Sequence, residues 1–163
     1  MEKIYGDKCC TDGIYRIGRN KWQLVYGEGK DNDADNSAYY WRHRFDHKPT
    51  AGECRALIKE TINAETESKI LSGFAWRGIP VWLSAENQYN YKAAYDLAVQ
   101  TDGATLPARF KFGTDTAPVY QTFDTVAELA KFYTAAFRHI SDALADGWAE
   151  KDCVDAMPFD TAD

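Results

Sequence analysis

The chain is poor in the residues that most often announce chemistry. Its 163 residues hold 3 His, 4 Cys and 2 Met. The cysteines, Cys9, Cys10, Cys54 and Cys153, include no Cys-x-x-Cys spacing of the kind that binds zinc or runs redox exchange. Adjacent Cys9 and Cys10 are poor partners for each other because of ring strain, so reduced thiols are expected. No Gly-x-Ser-x-Gly elbow, phosphate-cradling glycine loop or zinc-protease helix occurs. Basic excess is missing too: the formal net charge is −6, and Arg16, Arg19 and Lys21, or Arg42 and Arg44, make no stripe able to neutralise phosphates. Nucleic acid is therefore not an expected partner. The N-terminal Met1–Tyr5 lacks a signal-peptide core and no apolar run is long enough to span a bilayer, so a cytoplasmic or virion-associated protein without membrane contact is expected.

What the chain has is aromatic mass. Apolar residues make up 45% and charged residues 27%, the balance of a folded globular protein. Aromatics reach 14%, with 10 Tyr, 8 Phe and 5 Trp. Such rings either fill a modest core or form a recognition surface.

The first fifty residues read as strands. Ile14–Ile17 and Trp22–Tyr26 flank a hairpin turn at Gly18-Arg19-Asn20-Lys21, and Tyr39–Phe45 alternates aromatic and basic residues. The simplest arrangement is a three-stranded antiparallel meander. Between the last two lies a polar loop, Gly27–Ser37. From Pro49 the pattern changes. Thr50 with Glu53 has capping-box spacing, and Cys54, Leu57, Ile58, Thr61 and Ile62 fall on one side of the helix that should follow. Gly73 is read as its C-terminal cap. Phe74-Ala-Trp76 and Ile79–Leu83 surround Arg77-Gly78 as a hairpin, with Pro80 confining its strand to an edge or bulge. Ser84 caps a second helix carrying Tyr91, Ala94, Tyr95 and Ala98, which breaks before Asp102-Gly103. A second hairpin runs Ala108–Phe112 and Val119–Phe123. Thr125 and Glu128 open a last helix with an apolar stripe of Val126, Leu129, Ala130, Tyr133, Phe137, Ile140 and Leu144, ending near Asp146-Gly147. The fold class is α+β: an N-terminal antiparallel β-meander followed by helix–hairpin–helix–hairpin–helix. Residues 1–48 are expected to form a small β module, 49–155 an α+β domain and 156–163 an acidic tail.

Two clusters invite a metal reading, and both fail on spacing. Asp31, Asp33 and Asp35 stand at the first, third and fifth positions of a calcium loop, but Arg42 occupies the position that needs a bidentate Glu. His43 and His47 share one face of an extended segment but lie roughly 13 Å apart, too far for one ion. His139, beside the last apolar stripe, is expected to pack or face solvent rather than ligate. No metal, cofactor or catalytic residue is assigned. Trp76, Arg77, Trp82, Tyr39 and Trp41 are the candidate interaction surface.

The stretch Ile62–Tyr91 carries a Glu-Thr helix, a Gly73-Phe74-Ala75-Trp76 hairpin start, a turn at Gly78 and an Asn-Gln entry into the next helix. This order, continuing through Lys92–Gln100 and the last helix to about Trp148, resembles a domain of unknown function found in phage and prophage tail-associated proteins, over about residues 55–150. Chains with a comparable N-terminus resemble variants from Bacteroides-type genomes, often in mobile elements. The resemblance implies a non-enzymatic structural or interaction protein with no catalytic residues to carry over, whose partner is a tail component or a second copy. A small-ligand or glycan-binding module using exposed aromatics is the alternative expectation.

Overall fold

A computed structural model describes residues 1–6, 10–30 and 38–159. Asp31–Asp35, the acidic loop weighed above, and Cys9 lie outside the described residues. In chain order the elements are β1 (Glu2–Tyr5), β2 (Gly13–Gly18), β3 (Lys21–Lys30), β4 (Ala38–Phe45), α1 (Ala51–Ser72), β5 (Ala75–Trp76), β6 (Ile79–Pro80), α2 (Ala85–Gln100), β7 (Ala108–Gly113), β8 (Pro118–Phe123) and α3 (Val126–Ala156). The α+β class is thus realised: an antiparallel N-terminal sheet, then helices separated by two hairpins.

The N-terminal sheet has four strands in the order β1-β4-β3-β2, one more than the expected meander. The added strand β1 pairs with β4, Ile4 opposite Tyr40 and Lys3 opposite Trp41. β3 also runs past Tyr26 to Lys30, with a bulge between Tyr26 and Gly29 where the sequence suggested a loop. Alternation decides the faces. Trp22, Leu24 and Tyr26 of β3 and Phe45 of β4 bury one face against Cys54, Ile58 and Ile62 of α1 and Val154 of α3.

α1 starts where its cap dictates. The Glu53 amide donates to Thr50 Oγ at 3.2 Å, while the Thr50 amide donates to the Glu53 carboxylate at 2.8 Å. Both halves of the capping box are made. Cys54, Ile58, Thr61 and Ile62 are buried at helical spacing, as expected, and the Thr61 hydroxyl donates to the Leu57 carbonyl at 2.9 Å. Gly73 amide closes the helix on the Lys69 carbonyl at 2.9 Å. The helix thus ends at Gly73 as expected, with a φ there outside the left-handed region. Glycine is needed for space: a Cβ would sit 2.5 Å from the Lys69 carbonyl oxygen and 3.3 Å from His139 Cε1.

The described residues cluster into two compact units, one within residues 1–63 together with 149–159 and one of residues 64–148. In the second unit the β5–β6 turn is Arg77-Gly78, with φ of 53° and 80°, the paired left-handed geometry of a tight hairpin. Its strands are two residues each; beyond them the Val81 amide bonds to the Phe74 carbonyl and the Leu83 amide to the Leu71 carbonyl. Ser84 Oγ accepts from the Asn87 amide and starts α2. β7 pairs with β8 from Ala108–Phe123 to Gly113–Pro118.

α3 departs from expectation in two ways. Its buried line runs Leu129, Phe132, Ala136 and Ala143, offset from the expected stripe, and Phe137 is 61% exposed. It also does not stop at Gly147 but continues to Ala156. Gly147 is a contact point: a Cβ there would fall 2.5 Å from Thr66 Oγ1 of α1. Among the described residues no helix is long and apolar enough to cross a membrane.

Candidate functional site

The interior of the second unit is a cluster of rings. Phe132 of α3 lies 5.0 Å from Tyr91, 5.1 Å from Phe123, 5.2 Å from Phe112 and 5.4 Å from Trp76, centroid to centroid. Burial pushes the Tyr91 hydroxyl up to about 12. Most of the rings of this unit therefore go into packing, and its surface rings stand out against them.

The expected interaction residues take different places. Trp76 is half-buried and packs against the core rings Phe123 and Phe132, with its indole N–H lacking a hydrogen-bond partner. Arg77, at the hairpin turn, lies over the Trp76 ring at 5.4 Å and forms an ion pair with Glu128 at 2.8 Å. That ion pair takes the Glu128 carboxylate, while the Glu128 amide donates to Thr125 Oγ1 at 3.2 Å. Trp82, in contrast, is 53% exposed. In the first unit, Tyr39 and Trp41 pack edge to face at 5.9 Å, and Lys3 Nζ sits 3.7 Å from the Tyr39 ring centroid. Such a cation over a ring holds both in place.

The histidines are accounted for by packing. Phe45 stands between His43, at 4.6 Å, and His47, at 5.6 Å, and His47 Nε2 meets Glu53 at 3.1 Å. Glu53 is held below the usual carboxylate range by the Thr50 amide and hydroxyl, with His47 adding to it. His139 Nε2 donates to the Lys69 carbonyl at 2.9 Å while its ring lies 5.5 Å from Phe74. Among the described residues no group of three His, Cys, Asp or Glu is placed to hold a metal ion.

Cys54 is fully buried and burial lifts its thiol to about 11 from 9.0. This fixes a pH response. Between pH 9 and 11 the folded chain keeps the Cys54 proton while the unfolded chain has lost it, so the unfolded state binds fewer protons and stability falls as pH rises. Tyr91 acts in the same direction from about pH 10 to 12. The expected result is a melting temperature that is level near pH 8 and declines through pH 10.5, with a shallower decline in Cys54→Val. A flat profile to pH 10.5 would contradict it.

Among the described residues exposed rings border several concavities, Tyr120 at one beside Arg109 and others at two built on the helix–hairpin run. One is a groove of about 460 Å³ between α2 and α3, lined by Tyr89, Tyr91, Tyr133, Ala136, Phe137 and Ile140 among others. Tyr89, from α2, is 71% exposed in its lining, to which α3 contributes the exposed Phe137. Lys92, also in the lining, is paired with Asp96 one turn on. The second is a cleft of about 590 Å³ beside Trp82. Sequence reasoning missed Tyr89 and assigned Phe137 to the core; an apolar residue on a helix reads the same from either side.

The fold and these surfaces define an α+β protein whose helix–hairpin run presents apolar rings at several concavities. A family model described as a domain of unknown function (DUF4376) matches residues 53–163, and the chain belongs to that family. No curated protein and no solved structure matches the chain.

Proposed function

We propose that the chain is a non-enzymatic interaction protein of phage or prophage origin, a tail-associated accessory module that docks a protein partner on the α2–α3 groove. The observation that carries this reading is the exposure of Phe137 of α3 and Tyr89 of α2 in the lining of one largely apolar groove. Large rings left outside, next to partly buried Tyr133 and Ile140, form the kind of contiguous patch that soluble proteins reserve for partners. A trough between two helices accepts the apolar stripe of a third, with anchors at helical spacing. The occupant is accordingly a helix of a tail component, and the setting is the virion or the cytoplasm in which it assembles. The resemblance of residues 55–150 to tail-associated domains supports the same assignment. The hairpin from Phe74 to Leu83 is a weaker dock, because Phe74, Val81 and Leu83 are buried and the Val81 and Leu83 amides are already bonded.

Affinity capture with the tail proteins encoded alongside it, combined with size-exclusion chromatography and light scattering, tests the proposal. Capture of one such protein is expected, with loss in Phe137→Glu at an unchanged melting temperature. A strict monomer that captures none of them, or capture indifferent to Phe137→Glu, would overturn it.

A further inference from the structure

Trp82 is held where an ordinary surface tryptophan would be free to move. Its neighbours Val81 and Leu83 are 1% and 0% exposed, so the backbone on both sides is anchored in the core. The amides of those neighbours are tied to the Phe74 and Leu71 carbonyls, at 2.9 and 3.0 Å. The Trp82 carbonyl accepts from Asn87 Nδ2 at 2.8 Å. The indole itself is 53% exposed and, among the described residues, contacts no other ring and no cation. A rigid backbone thus presents an unpartnered ring to solvent.

The ring borders the cleft of about 590 Å³, whose lining includes Val81 and Phe112 together with Asn87, Lys111 and Asp115. The polar members are uncommitted. Lys111 and Asp115 make no hydrogen bond or ion pair among the described residues, and Asn87, having used its amide N–H₂ on Trp82, retains its carbonyl oxygen as an acceptor. Asp115 sits in the β7–β8 turn, which the Thr114–Ala117 backbone bonds of 3.2 and 3.3 Å and the Thr114 hydroxyl hold in shape. The cleft therefore combines one flat apolar face, two acceptors and one cationic donor on fixed elements. Concave sites with a few placed polar groups are the usual form of small-ligand sites.

A ligand matching this set has an apolar face to lay on an indole and a rim of groups that both donate and accept. We propose that the Trp82 cleft binds a pyranose saccharide, the C–H face of the sugar stacked on the indole, with hydroxyls donating to Asp115 and to Asn87 Oδ1 and accepting from Lys111. Carboxylate and amide acceptors suit vicinal hydroxyls. Desolvation of the ring face supplies the contact energy, and the polar rim supplies orientation. The site is separate in its residues from the α2–α3 groove, so it stands or falls independently of the protein-docking proposal.

Saturation-transfer NMR on the full chain tests it, using glucose-, galactose-, mannose-, N-acetylglucosamine- and sialic acid-terminated oligosaccharides at millimolar concentration. At least one is expected to show transfer strongest at ring C–H protons, with a change in tryptophan emission. Trp82→Ala is expected to weaken that binding by about tenfold or more, the scale of one lost aromatic contact. Asp115→Asn should weaken it less, and Trp148→Ala, which removes another exposed indole, should leave it unchanged. Trp82 and Asp115 are exposed, so the variants keep the fold, as an unchanged melting temperature will show. No transfer to any of these saccharides, or transfer that survives in Trp82→Ala, overturns the proposal. Loss of saccharide binding with tail-protein capture intact would separate the two surfaces.

Discussion

Phe132→Ala is expected to cost about 3–5 kcal/mol, the range for removing a fully buried aromatic side chain. Phe132 has no exposed surface and is the ring on which the second unit's core converges. Besides the rings within 5.4 Å, it lies 6.2 Å from both Phe74 and Phe110, so it touches both hairpins, α2 and the segment after α1. Truncation removes the transfer energy of the ring and leaves a void that its neighbours, anchored on different elements, cannot close together. Each edge or tilted ring contact adds about 0.5–1.5 kcal/mol beyond burial, which places the variant toward the upper end. For a chain of this length the melting temperature should fall by about 10 °C or more. Phe137→Ala, five residues further along the same helix, is the internal comparison. At 61% exposure it should change stability by no more than about 0.5 kcal/mol. Urea unfolding of the two variants side by side decides the matter. Comparable losses would mean that the buried line of α3 is misassigned.

That comparison also marks the limit of what periodicity can say. Leu129 belongs to both candidate stripes of α3, and apolar residues follow it at spacings of three and four, Phe132 and Tyr133. Phe137 and Phe132 were therefore equally good core residues on paper, and only the position of the two hairpins selects Phe132. Features decided within four residues were readable in advance. The Thr50–Glu53 box, the Ser84 cap and the Arg77-Gly78 turn all occur where their side chains and backbone preferences put them. Features decided by a distant partner were not. β1 is a four-residue strand with two charges whose reason for existing is β4, some forty residues away. Trp76 and Trp82, six positions apart in the same kind of segment, end packed against the core and at the surface. The candidate surfaces were legible to the same degree: Trp82 was named, but Tyr89, Lys111 and Asp115 acquire meaning from elements brought together in three dimensions.

Gly147→Ala is expected to destabilise the protein by about 1–3 kcal/mol, the cost of overpacking a tight contact, although the same change in an open helix would stabilise it. Glycine in a helix interior is worse than alanine by roughly 0.5–1 kcal/mol, and Gly147 stands nine residues before the end of α3. The sequence accordingly suggested a stop. The helix tolerates glycine because α1 comes close: the missing Cβ would meet Thr66 Oγ1 at 2.5 Å, with Thr66 Cγ2 and Cβ at 3.4 and 3.5 Å. Relieving the clash takes a change of Thr66 to another staggered χ1 well or a shift of a helix, and either has a cost. Removing the obstacle tests this reading. Thr66→Ala leaves only the Cβ, at a distance that is ordinary van der Waals contact, and should by itself cost little. The double variant Thr66→Ala/Gly147→Ala should then recover the parent stability or exceed it by up to about 1 kcal/mol, as the helix propensity of alanine is no longer opposed. A double-mutant cycle by chemical denaturation should give a coupling of about 1–3 kcal/mol with the sign of rescue. Gly147→Ala alone at or above parent stability would show that the two helices do not approach so closely. Failure of Thr66→Ala to rescue would place the obstruction elsewhere.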